Sequence, residues 1–388
     1  MDVVASTTTA LIEPEEEICG LYEGYSQRFV IISGCTTIAF FGVLANSLLM
    51  AVFRRSLPSS IFLLTLATCD TLICLTYTLL FGVDAGIWYR KNTTLFFLYH
   101  RYIVPVFFIA KVVQFAIPFI LILITFERYL WTCTEPKRQM FAALFNERGR
   151  IVTVIFVWVF SFAIRTPVLY AMQVKSFPGC DDYFRSESVA GTSFAETEAY
   201  EIYDFHIITA IQMMFPFVVL LLLNFTIIKR LVAEKRENMY PILRGAGVTT
   251  EAKKASFVQG NVPENYVLLQ VAADVIKESL IHRSSRSKRS QLRNAIYTMM
   301  AIVTSYLVCN GVHLFLTILE RFNPSYLYDS VDSSQSSTFY IVLSDTVSIC
   351  YMISSAIRIF IYAKCNPKLR QEIADYMKRE KSLETNSS

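Results

Sequence analysis

The sequence predicts an all-α membrane protein, a bundle of seven transmembrane helices. Three observations point there. The 388-residue chain is 54% hydrophobic and only 18% charged, with a mean hydropathy of +0.42; a water-soluble domain carries more charge and breaks its apolar runs more often. A membrane helix needs about 20 mostly apolar residues, and seven such stretches occur, near 29–53, 61–83, 102–126, 151–173, 205–231, 293–319 and 338–363. The connections between them separate by charge, basic on one side and acidic on the other.

Each stretch is bounded by charge: Arg54-Arg55, Arg90-Lys91, Lys137-Arg138, Lys229-Arg230, Glu320-Arg321 and Lys364. Spans six and seven are the more polar ones. The 1–2 connection has Arg54 and Arg55, the 3–4 connection has Lys137, Arg138, Arg148 and Arg150, and the 5–6 connection ends in Arg283, Arg286, Lys288, Arg289 and Arg293. The opposite side carries Asp181, Asp182, Glu187, Glu196, Glu198, Glu201 and Asp204. Positive residues stay inside, so the N-terminus is expected outside and the C-terminus inside. This gives an extracellular segment at 1–28, a membrane domain at 29–363 with a cytoplasmic 5–6 loop at about 232–292, and a cytoplasmic tail at 364–388. The acidic N-terminus lacks the basic-then-apolar pattern of a cleaved leader, so span one is expected to act as its own insertion signal.

Of nine cysteines, Cys35, Cys69, Cys74, Cys309 and Cys350 lie in apolar runs, as packing residues do. Only Cys19 and Cys180 fall in outer segments, and no zinc spacing occurs. The four histidines (His100, His206, His282, His313) do not cluster, so no metal or other cofactor is expected. Asn92-Thr93-Thr94 is a glycosylation sequon on the outer side. Asn224-Phe225-Thr226 and Asn386-Ser387-Ser388 are sequons by spelling only. No nucleophile motif suggests an enzyme, no internal repeat suggests a transporter, and no nucleic-acid partner is expected.

Six features occur in register: Gly42-Val43-Leu44-Ala45-Asn46 in span one, Leu66-Ala67-Thr68-Cys69-Asp70 in span two, Glu127-Arg128-Tyr129 closing span three, Trp158 with Pro167 in span four, Pro216 in span five and Tyr362 closing span seven. Together they resemble the rhodopsin-like G-protein-coupled receptors over roughly 30–375. Cys309-Asn310 and Ser354-Ser355…Ile361-Tyr362 look like the invertebrate FMRFamide-type peptide receptors and their nematode relatives; nematode chemosensory receptors share some of these cues. The resemblance implies a plasma-membrane multi-pass receptor coupled to a heterotrimeric G protein, with arrestin and a receptor kinase as further partners. It implies that Arg128 pairs with Glu127 at rest and meets the G protein when active. Asn46 and Asp70, polar at mid-membrane depth, must each find a partner, whether as an inter-helix hub or as plain structural hydrogen bonds. Pro216 should kink span five.

The departures from the family pattern are specific. Counting back from Tyr362, Arg358 stands where the family has Asn and Ile359 where it has Pro. An arginine inside a bundle needs a counter-charge, and Asp70 occupies the facing position. A buried Asp70–Arg358 pair is therefore expected, in place of the sodium ion many relatives hold there; Ile117, apolar where an ion ligand often stands, agrees. The alternative has Arg358 pointing to cytoplasmic water. The kink proline of span six is missing at Val312, beside Gly311, and Asn310 takes the place of the family's aromatic switch. The outer cysteine of span three is also missing (Ile103 is near that place), which leaves Cys19 as the expected partner of Cys180.

The resemblance puts the ligand in the outer half of the bundle. Span three offers Lys111 and Gln114 there, one helical turn apart. Ala110 stands where amine receptors carry an acid, which disfavours a monoamine. Lys111 either contacts a ligand acceptor or is tethered to Asp84. The acidic outer surface attracts cations, as an amidated peptide ending in Arg-Phe would supply. Glu201, Asp204, Asp181, Asp182 and Glu320 are candidates for its arginine; Phe107, Tyr203, Phe315, Tyr99 and Tyr170 are candidate walls. On the inner side, Arg283 to Ser290 mixes bases with hydroxyls, as kinase targets and anionic-lipid contacts do. Pro367 to Lys378 suits a short lipid-facing helix with Leu369, Ile373, Tyr376 and Met377 on one face. Cys365 is a candidate for acylation, and Ser382, Thr385, Ser387 and Ser388 for phosphorylation. The reading is thus a peptide receptor, with a small-molecule chemosensory receptor as the alternative and a transporter further off.

Overall fold

The protein was analysed as a computed structural model, which describes residues 26–56, 61–133, 135–245, 293–319, 322 and 337–387. Cys19, Glu320 and most of the 5–6 loop lie outside the described residues. Seven helices are long and apolar enough to cross a membrane: Phe29–Arg55, Ile61–Arg90, Thr93–Trp131, Glu147–Ala171, Glu198–Ala233, Arg293–Leu319 and Thr338–Cys365, named spans one to seven here. Hydrocarbon offers no hydrogen bonds, so every polar group in a span must be satisfied by protein. The hydroxyls of Thr65, Thr68, Thr71, Thr125 and Ser161 accordingly donate to carbonyls four residues back.

The spans pack in the order one–two, two–three, three–four and three–five, with seven closing onto one and two. Span three is central: 61% of its most apolar stretch is buried, against 22% for span four. Span four turns Ile151, Val152, Ile155, Phe156 and Val159 outward. An apolar exterior of this kind belongs against lipid acyl chains, and the protein is a multi-pass membrane protein. The main core joins Leu49 and Phe53 of span one, Leu66 of span two, Ile120 and Ile124 of span three, Leu220 of span five, Ile302 and Tyr306 of span six and Tyr362 of span seven.

Several elements depart from the sequence expectation. Span three starts at Thr93 rather than at 102, because Asn92 caps it by accepting from the Leu95 N–H at 2.9 Å. The expected outer-loop position of Asn92 is therefore the helix cap itself. Span two contains a wide π-turn, Thr78–Gly82, whose freed carbonyls are met from span three: the Tyr102 hydroxyl donates to Leu79 O at 3.0 Å and that of Tyr99 to Leu80 O at 3.1 Å. Span five also widens into π-turns, Ile202–Ile208 and Ala210–Met214, just ahead of Pro216. Proline lacks an N–H and crowds the turn before it, and the wider turns absorb both defects. Span seven breaks without a proline: Thr338–Ala356 ends at Ile357 and a second helix runs Arg358–Cys365, with a tight bond from Phe360 N to Ile357 O at 3.0 Å. Between spans four and five lies a β-hairpin that periodicity did not signal, β1 (Met172–Ser176) against β2 (Glu187–Gly191). The tail helix, Pro367–Ser387, buries Leu369 and Ile373 in the main core, whereas Met377 is exposed.

At Gly42 spans one, two and seven are in close contact. A Cβ there would lie 2.6 Å from Cys74 Sγ and 2.9 Å from Ala356 Cβ. Gly42→Ala is expected to lower the Tm of the detergent-solubilised protein, by about 1–3 kcal/mol of stability. Adding Cys74→Ala should recover part of the loss, because it removes the nearest obstruction.

Candidate functional site

Four polar groupings lie along the bundle, from the Glu127-Arg128-Tyr129 end to the end that bears the hairpin. The deepest is ionic. Arg358 Nη1 donates to Asp70 Oδ2 at 2.6 Å, with both side chains 1% exposed. The break at Ile357 starts a new helix with Arg358 as its first residue. Asn46 adds span one, its Nδ2 donating to Gly42 O and to Ser355 O, each at 3.0 Å. Asp70 and Arg358 are therefore brought together as expected, Arg358 does not point to water, and Asn46 is held beside span seven.

The second grouping joins spans six and seven. The Tyr351 hydroxyl donates to Asn310 Oδ1 at 2.5 Å and sits 3.0 Å from His313 Nδ1. A hydroxyl has one proton, so His313 Nδ1 carries its own and donates to Tyr351. Asn310 Nδ2 donates to Tyr306 O at 2.8 Å. In place of an aromatic switch, Asn310 is thus one end of a buried polar chain that pins span six to span seven.

The third grouping is at the hairpin end, and sequence reading missed its centre. Arg165, 6% exposed in span four, donates Nη1 to Asp204 at 2.9 Å and Nη2 to Gln212, both of span five. Its guanidinium lies 5.7 Å from the Phe115 ring. The signal was available: an arginine inside the span expected at 151–173, where a cation needs a partner. Asp204 is committed to this pair rather than waiting for a ligand arginine, and the Tyr203 hydroxyl donates to Ile164 O. Lys111 and Gln114 are half-buried, with Lys111 Nζ 5.0 Å from the Phe107 ring. Both Lys111 and Arg165 lie within electrostatic reach of His313. Among the other expected walls, Phe315 is 54% exposed and Tyr170 68% exposed, and Tyr99 is buried against span two. Glu201 is exposed. Cys180 is disulfide-bonded, and its expected partner Cys19 lies outside the described residues.

The fourth grouping is Glu127-Arg128-Tyr129. The expected Glu127–Arg128 pair is not formed. Neighbouring residues on a helix do not face each other, and Glu127 instead accepts from Arg150 of span four. Tyr129 is held by Arg230 of span five, which donates to its hydroxyl at 3.2 Å and to Thr132 O at 3.2 Å. No group of three or more His, Cys, Asp or Glu side chains suited to a metal occurs among the described residues.

Seven helical spans around a central third, with a buried acid in span two and an Arg-centred tripeptide closing span three, define a membrane receptor bundle. The model of the seven-transmembrane receptor (rhodopsin) family matches residues 43–362, and the chain belongs to that family, the rhodopsin-type G-protein-coupled receptors, which are not enzymes. An FMRFamide receptor of Drosophila melanogaster is 29% identical over 209 residues, covering 52% of this chain and 37% of that receptor. The match thus spans well under half of the relative's length.

Arg358→Ala would leave Asp70 buried without its counter-charge, a loss of about 3–5 kcal/mol expected as a marked fall in Tm and surface expression. Removing both charges, in Asp70→Asn/Arg358→Gln, should restore most of it. Since a guanidinium already neutralises Asp70, exchanging sodium chloride for choline chloride should leave the wild-type Tm unchanged.

Proposed function

We propose that this receptor responds to an extracellular amidated peptide of the FMRFamide kind and signals through a heterotrimeric G protein at the plasma membrane. The N-terminus and hairpin face outward and Arg128 faces the cytoplasm, as the charge of the connections argues. The observation that carries the ligand reading is the layout of charge at the hairpin end. Lys111 and Arg165 place cations inside the bundle, while Asp181, Asp182, Glu196, Glu198 and Glu201 are exposed around the rim. A ligand suited to this layout leads with a hydrogen-bond acceptor and carries its cation behind. A peptide ending in Arg-Phe-amide does so: its carboxamide oxygen accepts from Lys111, its phenylalanine packs by Phe107, and its arginine meets the rim acids. With Asp204 held by Arg165, the rim role falls to Glu201 and its exposed neighbours. The name of the Drosophila relative supports the same ligand class.

In this reading Cys19 pairs with Cys180 and ties the N-terminal segment to the hairpin, and Asn92 carries the glycan. The tail helix lies along the inner leaflet, and the tail hydroxyls recruit arrestin after receptor-kinase action.

A second-messenger screen of amidated peptides on cells expressing the full chain tests the reading. An Arg-Phe-amide should activate, whereas activation only by small organic molecules would replace the peptide reading with a chemosensory one. Lys111→Ala should raise the half-maximal concentration by about tenfold or more, as loss of a charged hydrogen bond does, with surface expression unchanged. Equal potency on wild type and Lys111→Ala would remove Lys111 from the ligand site.

A further inference from the structure

The close of span three is held from both sides, and its middle residue is left over. Glu127, 7% exposed, accepts from Arg150, the fourth residue of span four's helix Glu147–Arg165. Tyr129 is gripped by Arg230, whose guanidinium also lies 4.7 Å from its ring. Arg128 between them is 8% exposed. Its Nε and Nη1 are buried without a hydrogen-bond partner among the described residues. The guanidinium rests 3.8 Å from the centre of the Trp131 ring, a cation–π contact and not an ion pair.

A buried cation that hydrogen-bonds no carboxylate is costly, and in a membrane protein such a cost marks a residue kept for use. The nearest acid in sequence, Glu127, is taken by a stronger competitor. Arg150 approaches from a neighbouring helix and bonds the carboxylate, whereas Arg128, at the adjacent helical position and resting on Trp131, reaches it only by leaving that ring. The Glu127–Arg150 pair borders a cavity of about 410 Å³ lined also by Leu130, Trp131, Phe145 and Asn146, so a side chain of similar length can replace Arg150 without overpacking.

We propose that Arg150 is a positioning residue that sequesters Glu127 and so keeps Arg128 uncommitted in the absence of ligand, giving the receptor ligand-independent basal signalling. The proposal rests on the G-protein reading for its output, and on the structure alone for the pairing. When Arg150 is removed, Glu127 turns to Arg128, Arg128 leaves Trp131, and basal coupling falls. When Glu127 is removed as well, no acid remains to capture Arg128, and coupling returns.

The test uses the full-length receptor, with surface expression matched between variants. Basal G-protein activation is measured for wild type, Arg128→Ala, Arg150→Met and Glu127→Gln/Arg150→Met. The Trp131 contribution to fluorescence is taken in each background as the difference from the Trp131→Phe form. Arg150→Met should reduce basal activation about fivefold and shift Trp131 emission; the double variant should recover both. Arg150→Met with wild-type basal activity and wild-type emission would overturn the proposal. A double variant no more active than Arg150→Met would also overturn it, because a merely structural role for Arg150 predicts no rescue. If wild type shows no basal activation above Arg128→Ala, the basal-signalling half is overturned; a shift in Trp131 emission on Arg150→Met would then still establish the pairing.

Discussion

The contact between Arg358 and Asp70 constrains the rest of the bundle. A guanidinium and a carboxylate at 1% exposure cannot be tolerated apart in hydrocarbon, so spans two and seven must meet at that depth and in that register. The other features nearby serve the same meeting. Span seven breaks at Ile357 and starts a new helix at Arg358. Asn46 ties span one to the Ser355 carbonyl. Gly42 lets the three backbones approach. Loss of the Asn-Pro pair in span seven therefore does not straighten the helix; the ionic contact and the turn at Ile357 do the work that proline does in the resembled family.

Span four gives a second constraint of the same kind. It is the least buried of the seven spans, with 22% of its most apolar stretch buried, yet it carries an arginine near each end. Arg150 holds an acid of span three and Arg165 an acid of span five. The two lie fifteen residues apart in one helix, about 22 Å along its axis. A helix that buries little apolar surface is thereby fixed at its two ends by charge, and its own apolar length is left to the lipid.

Much of this was legible in the sequence because it depends on hydropathy and on single charged residues. The seven spans follow from apolar runs; Arg358 called for an acid because a membrane tolerates no lone cation, and the family pattern placed Asp70 opposite it. The unread parts depend on which of two competitors takes a group. The family resemblance suggested Glu127 for Arg128, and the acidic outer surface suggested a ligand for Asp204, but arginines from the neighbouring span hold both acids. Arg165 went unread although it stands inside the span expected at 151–173, because nothing in the sequence marks which acids of span five reach it. The hairpin was missed because Met172–Ser176 and Glu187–Gly191 are short and lack strong alternation.

The π-turn of span two has a consequence for how the chain can diverge. Such a turn holds one more residue than an α-turn, so span two follows helical phase as far as Tyr77 and is out of phase beyond it by about 100°. The hydroxyls of Tyr99 and Tyr102 stabilise that offset from the neighbouring span. They therefore set the azimuth of the last two turns, including Asp84. A relative that lacked the extra residue would turn another set of side chains toward the bundle interior. A one-residue insertion or deletion there thus re-aims Asp84 and its neighbours with no substitution among them.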